Sequence, residues 1–137
     1  MYEAEKKKRA SLSKPTTIQL APSSVFNMLN DMRHLVIYDL RGDAFFSLSH
    51  IRDSFLLRDP GKEELVFKAS SQIIENDLNL GTDQLRRVLL VHSKDDSIPT
   101  SAIVAGQKVF DKVYSIKGGF EEIAKLYPFL LVRDTTL

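Results

Sequence analysis

The chain reads Val113-Tyr114-Ser115-Ile116-Lys117-Gly118-Gly119-Phe120 near its C-terminus. Residues 113–116 predict a short buried strand, and Phe120 to Leu126 predicts a helix. The two glycines between them indicate a tight turn, because glycine adopts positive φ without steric cost. Tyr127-Pro128 follows the helix, so the stretch predicts a strand–turn–helix unit that ends at a proline.

The same alternation of strands and helices runs through the earlier part of the chain. Leu35–Tyr38 and Val88–Val91 are continuous apolar runs, which are typical of strands covered on both faces. Weaker strand patterns occupy Thr16–Ile18 and Phe55–Leu57. The predicted helices are Pro22–Asn30, Asp43–Leu48, Glu63–Asn76 (with Leu65, Val66, Ile73 and Ile74 directed inward) and Pro99–Phe110. This order predicts an α/β sandwich around a mainly parallel sheet.

The composition is that of an ordinary folded domain. The chain has 137 residues, enough for one domain with a real core, and 43% of them are hydrophobic. No apolar run approaches the roughly 18 residues of a membrane span. The absence of cysteine excludes disulfides, thiolate metal sites and thiol catalysis. The three histidines, His34, His50 and His92, lack metal-ligand spacing, so we expect no metal and no other cofactor.

Positive charge is concentrated at the N-terminus. Residues 1–14 carry a net charge of +3, and the rest of the chain carries −2. We therefore expect a basic arm over residues 1–15, without the apolar segment of a secretory signal, and a folded domain over residues 16–137. The candidate partner-binding residues of the arm are Lys6, Lys7, Lys8 and Arg9. Nucleic acid is a disfavoured partner, because the body is slightly acidic and no aromatic residues interleave with these cations.

Three motifs occur in an order that resembles the rhodanese and cell-cycle phosphatase superfamily. Asp39-Leu40-Arg41, Phe46 and Ser49-His50-Ile51 are similar to its pattern of Asp-x-Arg, an aromatic residue and Gly-His-Ile. Residues 88–93 resemble the strand that delivers its catalytic cysteine, and residues 113–120 with 127–128 resemble its closing motif. The resemblance implies a rhodanese-like three-layer sandwich with about five mostly parallel strands. It also implies framework roles for Asp39, Arg41, His50, Gly118, Gly119, Tyr127 and Pro128.

The loop that would carry the family's chemistry departs from its pattern. It reads Ser93-Lys94-Asp95-Asp96-Ser97-Ile98-Pro99, whereas the family's loop begins with cysteine, often contains glycine and ends near arginine. Ser49 also stands for the usual glycine of the family, and Ile123 for a common tryptophan. The resemblance therefore implies a vestigial loop, made of Ser93, Lys94, Asp95, Asp96 and Ser97.

The residues of this loop predict that it is inert. A serine hydroxyl needs an adjacent general base, and His92 directly precedes Ser93, so the two side chains should point to opposite faces. Asp95 and Asp96 would repel thiosulfate, persulfide or phosphate, and no arginine of the loop clamps an anion. We expect the aspartates or serines of the loop instead to cap the helix that follows.

Function is then a choice between binding and residual chemistry. The leading hypothesis is a catalytically inactive rhodanese-like protein, a protein-binding or structural subunit of a larger assembly, whose partner has an acidic surface. It predicts a cytoplasmic location, with a microtubule wall in the cytoskeleton or a cilium as one candidate, and no membrane partner or small-molecule substrate. The alternative is a residual or serine-dependent enzyme of the sulfurtransferase and phosphatase superfamily.

The arm also contains a candidate phosphorylation site. Lys8-Arg9-Ala10-Ser11-Leu12 resembles the substrate motif of cyclic-AMP-dependent and related basophilic kinases, whose acidic cleft pairs with two cations before the hydroxyl. A phosphate on Ser11 would add about −1.5 to −2 charges and largely cancel the charge of the arm.

Overall fold

A computed structural model describes residues 15–31, 35–57, 61–78 and 86–133. The partner-binding residues of the arm, the phosphorylation candidate Ser11 and the histidine His34 lie outside these ranges. The side chains of residues 31 and 73–78 are likewise not described, so the predicted inward positions of Ile73 and Ile74 stay predictions.

Within the described ranges, five strands form one parallel sheet in the order β1-β6-β5-β2-β4. Two further short strands, β3 and β7, pair antiparallel beside it. This confirms the predicted fold class. The strands are β1 (Ile18–Leu20), β2 (Leu35–Asp39), β3 (His50–Ile51), β4 (Phe55–Leu56), β5 (Arg87–Val91), β6 (Lys112–Ile116) and β7 (Leu131–Val132).

Helices cover both faces of the parallel sheet. They are α1 (Pro22–Asp31), α2 (Asp43–Leu48), α3 (Glu63–Leu78), α4 (Thr100–Val109) and α5 (Phe120–Leu126), with a 3-10 turn at Pro128–Leu130. Because successive residues of a strand point to opposite faces, the central strands feed two separate cores. Leu89 and Val91 pack with α1 and α5, whereas Val88 and Leu90 pack with α3 and α4. Each fully buried Leu or Phe side chain in these cores contributes about 1.5–3 kcal/mol.

Two details of the sequence prediction were wrong. The first strand is Ile18–Leu20 and not Thr16–Ile18, because its pairing lies opposite Tyr114–Ile116, the last three residues of β6. Leu65 is 70% exposed and does not face inward. Among the described side chains of α3, the buried ones are Glu63, Phe67 and Ser71, spaced four apart. A residue two positions from such a row faces away from it.

Candidate functional site

The loop from His92 to Pro99 follows the central strand β5 and leads into α4. Parallel strands bring their carboxyl ends to one edge of the sheet, which is where open α/β sheets place ligands. The loop begins with a tight turn, in which the Asp96 N–H donates to the Ser93 carbonyl at 3.1 Å. Lys94, Asp95, Asp96 and Ser97 are exposed. The loop therefore presents these charged side chains to solvent at the edge of the sheet where ligands usually bind.

The first donors of the loop are bound by a carboxylate of the same chain. The Ser93 hydroxyl donates to Glu121 Oε2 at 2.6 Å, and the Lys94 N–H lies 3.1 and 3.4 Å from the two carboxylate oxygens. Partial burial acts to raise the pKa of Glu121. The hydrogen bonds from Ser93, its own backbone and Lys94, with the charge of Lys94, outweigh that burial and lower the pKa. Glu121 is therefore held ionised against the loop.

Gly119 allows this contact. A Cβ atom at Gly119 would lie 2.5 Å from the Lys94 nitrogen, closer than real Cβ atoms approach. Gly118 and Gly119 both have positive φ, at 83° and 77°, which confirms the predicted tight turn. The Phe120 N–H then donates to the His92 carbonyl at 2.8 Å. The turn thus brings the first residues of α5 directly onto the loop.

His92 faces carbonyl oxygens of the loop. Its Nδ1 lies 2.8 Å from the Ser93 oxygen and 3.1 Å from the Asp96 oxygen. Both partners are acceptors, so Nδ1 must carry the proton and Nε2 of the neutral ring keeps its lone pair. The Ser93 hydroxyl donates to Glu121 and not to His92, so the two side chains have separate partners, as the alternation of a strand predicts.

The helix after the loop begins without a side-chain cap, so the expected cap by an aspartate or serine is wrong. Pro99 is the N-cap residue of α4, and its carbonyl accepts the N–H groups of Ala102 and Ile103 at 3.1 and 3.3 Å. Because Pro99 occupies the capping position, the loop residues before it cannot serve as the cap.

Arg41 borders the loop but is already paired. Its guanidinium makes a bidentate ion pair with Asp39, with a shortest distance of 2.8 Å, and donates to the Ser49 carbonyl at 2.5 Å. It also lies 3.5 Å over the ring of Phe120, and its side chain is 6% exposed. A pocket of about 250 Å³ lies between Arg41, Ser93 and Pro99. The cation of this pocket is thus neutralised by a buried carboxylate.

The other predicted framework residues lie at the joins between elements. His50 Nδ1 is 2.7 Å from the Phe46 carbonyl, and the two rings stack at 3.8 Å. Tyr127 ends α5 and stacks on Phe26 at 5.0 Å, and Pro128 begins the 3-10 turn. The contacts described for His50, Tyr127 and Pro128 do not involve the loop, so they do not join these residues to the Ser93 contact.

Residues 21–126 match the sequence pattern of the rhodanese-like domain. The chain belongs to the rhodanese-like family. The match covers most of the chain and confirms the resemblance that the three motifs indicated. No curated protein matches this rhodanese-like chain significantly.

Solved structures share the fold at low sequence identity. An As-Sb reductase from Leishmania major is 14% identical with a TM-score of 0.61, over 86% of each chain. A thiosulfate sulfurtransferase from Pseudomonas aeruginosa is 15% identical with a TM-score of 0.59, over 91% of this chain and 21% of that chain. A protein from Saccharomyces cerevisiae is 12% identical with a TM-score of 0.56, over 82% of this chain and 96% of that one. These likenesses show the rhodanese-like fold alone.

The residue that sequence reasoning missed in this rhodanese-like domain is Glu121. The sequence indicates that Glu121 lies in the first turn of α5. Its contact with Ser93, which is 28 residues away in the sequence, also requires the close approach of Gly119 to the loop. In the described part of the chain, no cluster of three His, Asp or Glu side chains could hold a metal ion. The helices described there are also too short or too polar to cross a membrane.

Proposed function

We propose that this rhodanese-like chain is catalytically inactive and acts as a protein-binding or structural subunit of a larger assembly. The observation that supports it is the Ser93 hydroxyl, which stands where the family carries its cysteine and donates to Glu121 at 2.6 Å. A hydroxyl ionises far less readily than a thiol, so it needs a strong adjacent base. The loop therefore lacks the family's nucleophile, and both the Ser93 hydroxyl and the Lys94 backbone N–H are engaged by Glu121.

The electrostatics of the loop support the same proposal. Asp95 and Asp96 are exposed beside the pocket, and the nearby Arg41 is paired with Asp39. The loop carries two exposed carboxylates against the one exposed cation Lys94, so its side chains are net negative toward an incoming anion. Sulfurtransferase and phosphatase chemistry both need the opposite sign of charge at this place.

The alternative is a serine-dependent enzyme, and one contact favours it. Ser93 and Glu121 lie within hydrogen-bond reach, as a nucleophile and its base do. The lowered pKa of Glu121 argues against this role, because a carboxylate that binds protons more weakly than usual is a poor base for an alcohol. We therefore place this alternative second.

The partner is a protein with an acidic surface that pairs with the arm, at Lys6, Lys7, Lys8 and Arg9. This assignment is carried by the net charge of +3 over residues 1–14. A cytoplasmic assembly fits it, and an acidic microtubule wall in the cytoskeleton or a cilium is the candidate that we would examine first.

Activity assays on purified protein test the inactive state. We expect wild type and Ser93→Ala to form thiocyanate from thiosulfate and cyanide, and to hydrolyse p-nitrophenyl phosphate, only at the buffer rate. Ser93→Cys should stay inactive too, because Asp95, Asp96 and the lack of a loop arginine remain. A wild-type rate above that of Ser93→Ala, lowered again by Glu121→Gln, would establish the serine-dependent enzyme instead.

Capture of partners from native extract tests the binding half of the proposal. The full chain should retain a reproducible set of proteins that a heat-unfolded sample of the same chain does not retain. If the folded chain retains nothing beyond the unfolded control, protein binding is not its function.

A further inference from the structure

A groove of about 680 Å³ lies beside the loop, on the side of the sheet that α4 covers. Its lining includes Thr17, which precedes β1, Gln19 of β1 and Ser115 of β6. The loop contributes His92, Asp96 and Ser97. α4 contributes Ile103 to this lining, and farther along the helix Gln107 Nε2 donates to the Thr16 carbonyl at 3.4 Å. Within the groove, the Ser115 and Thr17 hydroxyls are hydrogen-bonded to each other at 2.5 Å.

The groove offers acceptors and a negative charge. Among the described residues that line the groove, Asp96 carries the one full charge. Asp96 is exposed to solvent. The His92 ring adds the lone pair of Nε2, because Nδ1 is the proton donor to the two loop carbonyls. Asp95, the preceding residue of the loop, is exposed but lies outside the lining. A cationic hydrogen-bond donor complements this surface.

The groove also borders an edge of the sheet. The Leu20 carbonyl accepts the Lys117 N–H at 2.8 Å, so Leu20, and Ile18 two residues before it, direct their backbone groups toward β6. The backbone groups of Thr17 and Gln19 consequently point to the outer side of β1. An extended peptide adds to such an edge through main-chain hydrogen bonds, and side-chain pockets then select its sequence.

We propose that this groove binds an extended basic segment of the partner protein. The segment lies along the outer side of β1, and an Arg or Lys side chain reaches Asp96 and Nε2 of His92. The proposal rests on the proposed function, since it assigns a surface to the protein binding inferred above. The occupant is basic because the lining carries a carboxylate and, among its described residues, neither lysine nor arginine.

The test uses the full chain and a fluorescent five-residue peptide, with valine and threonine alternating around a central arginine. A peptide with glutamine at the centre is its control. We expect Asp96→Asn to weaken binding of the arginine peptide about two- to fivefold, the range for an exposed ion pair. Asp95→Asn is the matched control, because it removes the same charge from the next position outside the lining, and it should leave the affinity unchanged.

A second variant tests the strand edge. Gln19→Pro removes an N–H that points away from β6, and proline is tolerated on an edge strand. It should weaken both peptides to the same extent, because both use the backbone of β1. A thermal unfolding curve checks that Gln19→Pro is folded. If it is unfolded, the comparison of Asp95→Asn with Asp96→Asn tests the groove instead.

Two outcomes would overturn the proposal. Equal weakening by Asp95→Asn and Asp96→Asn would mean a diffuse attraction to the loop and not a site. Binding that appears only after Lys6, Lys7, Lys8 and Arg9 are changed to glutamine would assign the groove to the chain's own arm. In both cases partner capture from native extract could persist, so the groove can fail while the proposed function stands.

Discussion

At the scale of single residues, the contact between Ser93 and Glu121 joins the loop after β5 to the first turn of α5. The carboxylate receives the Ser93 hydroxyl and the Lys94 N–H, which are groups that an anion at the loop would otherwise meet. Both groups are present in the loop, but each already donates a hydrogen bond to Glu121. The ionised Glu121 therefore adds to the attachment of the loop to α5, beside the hydrogen bond from the Phe120 N–H to the His92 carbonyl.

We predict that this contact stabilises the fold only while Glu121 is ionised. Because its pKa is lowered by folding, its contribution is present above the ordinary glutamate pKa of about 4.3 and is lost as the pH falls through the lowered value. Glu121→Gln should lower the free energy of unfolding by about 0.5–1.5 kcal/mol at neutral pH. That loss corresponds to roughly 2–6 °C in the melting temperature.

Melting temperatures measured from pH 3 to pH 7 check this prediction. The gap between wild type and Glu121→Gln should shrink below about pH 4.3. Glu122→Gln is the control, because it removes the same charge from the same first turn of α5. An equal loss in the two variants, or a gap that is constant down to pH 3, would contradict the role of the Ser93 contact.

At the scale of elements, the approach of α5 to the loop depends on Gly119. We predict that Gly119→Ala lowers the free energy of unfolding by about 1–3 kcal/mol more than Gly42→Ala does. This is the typical loss of stability when atoms are forced into a filled space. Gly42 is a close match in backbone conformation, with φ of 104° and ψ of 165° against 77° and −171°. A Cβ at Gly42 meets nothing within 4 Å, whereas one at Gly119 meets the Lys94 backbone.

Urea unfolding of the two alanine variants measures the difference. Strain from positive φ contributes to both, so the excess reports the close packing of the turn on the loop. Equal midpoints for the two variants, at unchanged slopes, would show that the loop moves aside at no cost.

The elements also show where the sequence was informative. Continuous apolar runs located β2 and β5 to within one residue, because strands buried on both faces leave no other pattern. Leu65 was misplaced, because an apolar residue in a helix does not reveal which row faces the sheet. β3 and β7 were missed, because two-residue strands pair through contacts between residues about 80 positions apart.

At the scale of the whole molecule, the fold followed from ordered motifs, whereas the site depended on long-range contacts. Gly118-Gly119 predicted a turn, but its target, the Lys94 backbone, is set only when β5 and β6 pair. The groove beside the loop likewise joins residues from β1, β6 and the loop. Such surfaces arise from the topology of the sheet, which explains why the local sequence pattern did not reveal them.

The charge division between the arm and the domain leads to the last prediction. If the arm, with its net charge of +3, holds an acidic partner, neutralising Lys6 to Lys8 should weaken retention of that partner. Ser11→Glu should weaken it in the same direction but less, since it adds one negative charge where a phosphate adds about −1.5 to −2. Both effects should be largest at low salt, because salt screens exposed charges.

Partner retention across a salt series, for wild type and the two variants, measures these effects. Ser13→Glu is the matched control for the phosphorylation site, because it places the same charge two residues farther along the arm, outside the kinase-like motif. Equal effects of Ser11→Glu and Ser13→Glu would mean that the added charge matters but its position at Ser11 does not. Equal retention by wild type and all variants at every salt concentration would exclude the arm, and the binding surface would then have to lie on the folded domain.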